Sequence, residues 1–468
     1  MPDKLPVGPY RTIEIDDGVQ APFYIIPFDE QGMCQGPLTR DHLLTTLQNG
    51  DYTDIFLFSH GWNNDWKIAT DLYDGFLSGY AQMQREHGLT YSRPFRPLLI
   101  GIFWPSIALV LPSERGPAIA AFSGDGAQLM DVEVGQERQE IQSLAAALPR
   151  EEDVERFYAL AQRGQDLNSD EAMELARMLS PIYNSIAEDE LPTVDSAPST
   201  EQLMSLWQKI ASMASTKPST GTPGKFGFVN EPGRTPGVGG LTTQSTSAPE
   251  AAGILDFLDP RLIIRLATVL QMKDRAGVVG AHGVGSLLFD VLKNGTTRVH
   301  LIGHSYGCKV VLSALCFQEL PRPVHSVLLL QPAISYLCFA VDATGTGLKG
   351  GYRVALDRVE QSIMTTYSPR DVPLTQFFHL AVRRSSDLGE EQIAGAPPPS
   401  RYAALGGFGP GGCETDCSEV EMKKIGDFYD LRPDVRKIHV LNGVQAISGH
   451  GDISNDFTWW ALYNQVTS

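Results

Sequence analysis

One short stretch in the second half of the chain limits the folds open to it. Arg298 to Ile302 is an apolar run, Gly303-His304-Ser305-Tyr306-Gly307 follows, and from Tyr306 to Gln318 small and apolar side chains recur at helical spacing. A strand that becomes a helix within so few residues must bend sharply. Glycines two positions to either side of Ser305 remove side chains that would collide with the adjoining strand and helix. The predicted geometry presents Ser305 in strained backbone at the apex, its hydroxyl exposed beside a helix N-terminus whose dipole favours negative charge. The plainer alternative is a glycine-rich turn with an incidental serine.

The same alternation recurs along the chain. Asp54 to Phe58, Leu98 to Trp104, Ser326 to Leu330, Ser362 to Tyr367 and Lys437 to Leu441 are compact apolar runs of the kind that form buried strands. Trp66, Ala69, Leu72, Phe76, Tyr80 and Met83 predict an amphipathic helix, with Asn64 as its N-cap and Gly88 as its stop. Leu266 to Leu292 and Phe457 to Gln465 read as further helices, and Asp16-Asp17-Gly18 as the turn of an opening hairpin between Arg11–Ile15 and Phe23–Ile26. Strands alternating with helices imply an α/β chain with a mainly parallel central sheet covered on both faces.

Between Pro105 and Leu262 the alternation stops, over too much chain for a simple crossover. This predicts a large, mostly helical insertion at 105–262, a cap or lid, between two parts of one core at 1–104 and 263–468. Helical spacing marks Glu151 to Gln162, Ser169 to Leu179 with Pro181 as its end, and Thr200 to Met213. Ser215 to Ala252, rich in Ser, Thr, Gly and Pro, has too little apolar content to offset its ordering entropy and reads as a mobile loop. The apolar runs Ile107 to Leu111 and Ala118 to Phe122 can line an acyl pocket, form a lid, or pack the insertion.

Composition narrows the partners. With 37 Lys and Arg against 55 Asp and Glu, the net charge of -18 repels phosphate backbones, so nucleic acid is not an expected partner. The first residues lack the pattern of a secretory signal, and no run of about 18 apolar residues is evident, so no integral membrane segment is expected. The expected location is the cytoplasm, with export by a signal-independent route and transient membrane contact left open. Six cysteines are too sparse for a disulfide framework; Cys413 and Cys417, in a glycine-rich loop, can be a redox bridge, a metal clip or an ordinary loop pair. Nothing in the residues signals an oligomeric state.

Four stretches together resemble the α/β-hydrolase superfamily, and within it a bacterial group combining an HG-aromatic loop, a FWPS strand end, a GHSxG elbow and a YSxxD loop. They are His60-Gly61-Trp62, Phe103-Trp104-Pro105-Ser106, Gly303 to Gly307 and Tyr367-Ser368-Pro369-Arg370-Asp371. Cys308 stands where Gly or Ala is usual, and it also packs closely. The resemblance implies a nucleophile, acid and histidine in that chain order. His379 follows an apolar helical run and His439 lies within a strand, which leaves His450, in the loop beyond the last strand, as the base. Asp371, just past a strand, is the candidate acid; Asp342 and Asp452 are its rivals, and a surface carboxylate paired with Arg370 is the plain alternative. The oxyanion donors expected are the main-chain N–H of Tyr306, which follows the nucleophile, and, through the resemblance, that of Trp62, itself also a candidate core aromatic. His60 and His304 are expected to be structural.

The expected activity is hydrolysis of a carboxylic ester, lipase- or esterase-like, on a small-molecule or lipid substrate through an acyl-enzyme on Ser305, with no metal or organic cofactor required. Thioester hydrolysis or acyl transfer, an exported antibacterial phospholipase, and a non-catalytic scaffold of the same fold remain as alternatives.

Overall fold

The computed structural model describes residues 7–16, 18–106, 144–145, 148, 150–161, 167–184, 199–201, 203–205, 207–208, 260–378, 402–432, 434 and 436–468. The chain opens with β1 (Arg11–Asp16) and β2 (Val19–Pro27), an antiparallel hairpin pairing Arg11 with Phe23 and Asp16 with Val19. The expected opening hairpin is therefore in place, and Asp17 of its connection lies outside the described residues. The further strands are β3 (Asp54–Ser59), β4 (Pro97–Phe103), β5 (Arg298–His304), β6 (Ser326–Leu330), β7 (Ile363–Tyr367), β8 (Cys417–Glu421) and β9 (Ile438–Asn442). With the hairpin they make one mixed, mostly parallel sheet in the order β1-β2-β4-β3-β5-β6-β7-β9-β8. Beyond the hairpin every pairing is parallel, so the carboxyl ends of β3, β5, β6, β7 and β9 share one edge.

Strand side chains point alternately to the two faces, and both faces are covered. Ile55, Leu57, Leu98, Ile100, Val299, Leu301, Val327 and Leu329 pack on one side; Phe56, Phe58, Leu99, Ile302, Leu328 and Leu330 pack on the other. The helices are α1 (Pro37–Asn49), α2 (Trp66–Glu86), α3 (Glu151–Ala161), α4 (Ser169–Asn184), α5 (Pro260–Val278), α6 (Gly285–Lys293), α7 (Gly307–Cys316), the one-turn α8 (Leu405–Phe408) and α9 (Asp456–Thr467). The first face is covered by α1, α5, α6 and α7, the second by α2 and α9.

Several boundaries differ from expectation for identifiable reasons. The N-cap of α2 is Asp65, whose carboxylate accepts from the Ile68 N–H at 2.7 Å; Asn64 is used elsewhere. The helix expected over 266–292 is two helices joined by a π-helical turn, Val279–Val284, where glycine-rich sequence tolerates a widened coil. Gln271–Lys293 is also long and apolar enough to cross a bilayer, yet Met272, Ala276, Val279, Val284, Leu287, Leu288 and Val291 pack it into the sheet's core. Pro181 does not end α4, which runs on to Asn184; so near a helix terminus a proline removes one hydrogen bond of many.

Within 105–262, α3, α4 and helical residues between 200 and 208 build a separate apolar cluster around Phe157, Leu160, Leu175, Leu179 and Trp207. Ile263, Ile264 and Ala267 at the start of α5 belong to that cluster, while Met272 and Ala276 further along belong to the sheet's core. The boundary expected at 262 thus falls inside one continuous helix that ties the two clusters together. Ser215 to Ala252 and the apolar runs at 107–111 and 118–122 lie outside the described residues. Cys413, in the loop after α8, and Cys417, the first residue of the edge strand β8, form a disulfide.

At the amino end of β3, opposite the shared edge, Asp54 is fully buried. It accepts from Arg93 through both oxygens (2.6 and 2.7 Å), from Thr53 (2.7 Å) and from His300 Nε2 (3.0 Å), with Arg298 at 3.2 Å. Burial alone raises a carboxyl pKa, but the bonds from His300, Arg93 and Thr53 outweigh it and hold Asp54 below its ordinary value. Removing one partner of a buried charge network typically costs about 3 kcal/mol or more. Asp54→Asn should lower the urea-unfolding free energy by that order; a loss below about 1 kcal/mol would show that the network contributes little.

Candidate active site

The bend after β5 is tighter than glycine spacing alone conveys. Ser305 has φ 55°, in the left-handed region that ordinary residues avoid. Three main-chain bonds hold it there: its N–H donates to the Leu330 carbonyl (3.1 Å), and its carbonyl accepts from Cys308 (3.1 Å) and Ala333 (3.3 Å). A methyl group at position 307 would fall 2.1 Å from the Ser59 carbonyl oxygen, and one at 303 would fall 2.7 Å from Cys308 Cα. Both glycines are thus required by close approach, and α7 starts directly against the end of β3. Cys308 fits the same crowded place, buried, with its thiol pKa pushed well up by burial.

Asp371 and His450 meet Ser305 at this edge. His450 Nε2 lies 2.8 Å from Ser305 Oγ, and its Nδ1 lies 2.8 Å from Asp371 Oδ2. An imidazole bonded on one side to a carboxylate carries its proton on that nitrogen, so Nδ1–H donates to Asp371 and Nε2 accepts from the serine hydroxyl. Asp371 is fully buried, and its other oxygen accepts from the Leu374 N–H (3.1 Å). Ser368, in the turn that carries the acid, donates to the Ile447 carbonyl (3.2 Å) and so ties that turn to the histidine loop. The rival carboxylates are committed elsewhere: Asp342 accepts from Thr344 and Gly345 in its own turn, and Asp452 accepts from Ser448 and Asn455 within the histidine loop. His439 stays within β9, and His379 lies outside the described residues.

The apex is enclosed, contrary to the expected exposure. Ser305 is only 3% exposed, and the imidazole of His450 keeps 17% of its surface. The cause is the loop after β3, which crosses over the bend so closely that a methyl group on Gly61 would sit 2.7 Å from Ser305 Cβ. That loop is locked by the Phe103 to Ser106 stretch. The rings of His60 and Trp104 stack at 5.5 Å, Trp104 Nε1 donates to the His60 carbonyl (3.1 Å), and Ser106 bonds the main chain of Asn63 and Asn64. Asn64 donates to the carbonyls of both Gly61 (2.9 Å) and Trp62 (2.8 Å). Because a trans peptide is planar, anchoring the Gly61 carbonyl also fixes the direction of the Trp62 N–H. Tyr306, the other expected donor, is the residue on which α7 begins, and its N–H belongs to that helix's first turn. The Trp62 ring packs against the sheet's core, so the aromatic has a structural use as well.

From sequence Asn64 reads as a helix cap, Ser106 enters only as the last residue of the Phe103 to Ser106 stretch, and Gln331 carries no signal. His60 and His304, expected to be structural, each bond a main-chain carbonyl. His60 Nδ1 donates to the Gly61 carbonyl (2.8 Å), and His304 Nε2 donates to the His450 carbonyl (2.9 Å). Burial disfavours their charged forms and lowers their pKa values to about 4 and about 3; for His304 the neighbouring His450 adds to the effect.

A histidine whose folded pKa lies below its unfolded value stabilises fully above the unfolded value, near 6.5, and loses that contribution as pH falls. Together the two should make the unfolding free energy about 3 to 4 kcal/mol smaller at pH 5 than at pH 7. His60→Gln should remove about half of that drop, measured by denaturant titration at both pH values; an unchanged drop would assign the acid sensitivity to other groups. No protein-family model, curated protein or solved structure matches the chain.

Proposed function

We propose that the chain is a serine hydrolase of the α/β-hydrolase type that cleaves carboxylic esters through an acyl-enzyme on Ser305. The observation that carries this reading is the continuous run of hydrogen bonds from Asp371 through His450 to a serine held at φ 55°. The sheet order, with the nucleophile, acid and histidine following β5, β7 and β9 along one edge, agrees with it.

In this mechanism Ser305 Oγ attacks the ester carbonyl carbon while its proton passes to His450 Nε2. The Asp371 carboxylate stabilises the imidazolium so formed and keeps the ring in its tautomer. The N–H groups of Trp62 and Tyr306 receive the oxyanion, each such donor supplying about 3 kcal/mol of barrier reduction. The tetrahedral adduct collapses, the leaving alkoxide takes the proton from His450, and water repeats the sequence to release the acid and restore Ser305.

A fluorophosphonate probe should label the folded protein at Ser305, located by peptide mass spectrometry, and p-nitrophenyl butyrate should be turned over. Ser305→Ala and His450→Ala should each lower kcat by about 10⁴-fold or more, and Asp371→Asn by about 10³-fold or more, with folding retained. Absence of labelling in folded wild-type protein, or near-normal turnover by His450→Ala, would end this reading.

A further inference from the structure

His450 lies in an irregular loop, 443–455, between β9 and α9, so no regular element sets its position. Something else must. Gln331, the residue after β6, has φ 41°, a conformation a non-glycine side chain holds at a cost, and it is fully buried. Its main-chain N–H donates to Thr366 Oγ1 (2.8 Å), and the Thr366 hydroxyl lies 3.4 Å from Gln331 Oε1. With its oxygen turned to β7, the amide nitrogen faces the histidine loop. Nε2 stands 3.1 Å from the Gly449 carbonyl, 3.2 Å from that of His450 and 3.3 Å from that of Asp452. The His450 carbonyl also accepts from His304 Nε2 at 2.9 Å.

We propose that Gln331 is a positioning residue for His450: one side-chain amide, set by a strained backbone and by Thr366, gathers three carbonyls of the loop and fixes where the imidazole hangs. This extends the hydrolase reading given above, on which its catalytic consequence rests. Its two hydrogens serve three acceptors, so the loop is held by a shared set of bonds rather than by one contact. His304 from the end of β5 and Gln331 from the end of β6 grip the main chain of His450, while Asp371 beyond β7 grips its ring. Gln331 touches no reacting atom, and its effect passes through the histidine.

Gln331→Met keeps the side chain's length and removes its donor. Hydrogen exchange of the 443–455 amides should become about tenfold faster while α7 and α9 are unaffected, since a lost clamp opens the loop alone. For p-nitrophenyl butyrate, kcat should fall about 10- to 100-fold with KM unchanged, as expected when a reacting group is misplaced by about 1 Å. Unchanged loop exchange overturns the proposal whether or not the wild-type protein turns over esters. Faster exchange with unchanged kcat, in an active wild type, overturns its catalytic part. A wild type that is inactive but whose loop loosens in the variant keeps Gln331 as the clamp and removes the hydrolase reading instead. Should Gln331→Met fail to fold, Thr366→Val decides by the same two measurements: a smaller shift in the same direction supports the proposal, and none overturns it.

Discussion

The left-handed turn at Ser305 is the constraint on which the rest of the site depends. It persists because the surroundings over-determine it: the Leu330 carbonyl holds one side, Cys308 and Ala333 the other, and Gly307 lets α7 start against the Ser59 carbonyl. Relaxing the turn would separate α7 from β3 as well as move one hydroxyl. The strain is therefore borne by the centre of the sheet, where β3, β5 and β6 are buried on both faces.

Around that fixed point, each remaining part of the site comes from a different strand end and is fixed by its neighbour rather than by its own element. The loop after β3 is locked by residues following β4, the acid turn after β7 is tied to the histidine loop by Ser368, and that loop is tied to β5 and β6 by His304 and Gln331. Parallel pairing is what makes this possible, because it collects the carboxyl ends of distant segments along one edge. The cost is burial of two histidines, His60 and His304, that stabilise the fold only while neutral, which couples this edge of the sheet to acid conditions.

What was legible in the sequence follows from the range of the signals. Buried strands and the bend carry local patterns, so β3, β5 and β6 and the placement of Ser305 follow from their own residues. Asp371 and His450 needed chain order in addition, because nothing local separates His450 from a solvated loop histidine. The edge strand β8 was missed because it is partly exposed along its length and Cys417-Ser418-Glu419-Val420-Glu421 holds no apolar run. The clamps, Asn64 and Gln331, were missed for a different reason. Gln331 bonds main-chain carbonyls of a distant segment, and such a partner leaves no mark on residue type or spacing; Asn64 bonds those of Gly61 and Trp62 in its own loop, where its residue type reads equally well as a helix cap.

The opposite end of the sheet tests how far residue identity alone can be taken. There Asp54, His300 and Ser326 also form a hydrogen-bonded series, with His300 Nε2 at 3.0 Å from the carboxylate and Nδ1 at 2.8 Å from the serine hydroxyl. By residue type it duplicates the candidate active site. Yet all three residues are fully buried, Ser326 lies in regular strand backbone as the cross-strand partner of His300, and the histidine ring is stacked on Phe56. Asp54 is further neutralised by Arg93, so little negative charge is left to stabilise an imidazolium. A serine there has no approach for a substrate and no bend to present it, and the series serves to join β3, β5 and β6. The distinction between the two sites is made by backbone conformation and by the remaining exposure of the His450 ring, not by which side chains are present.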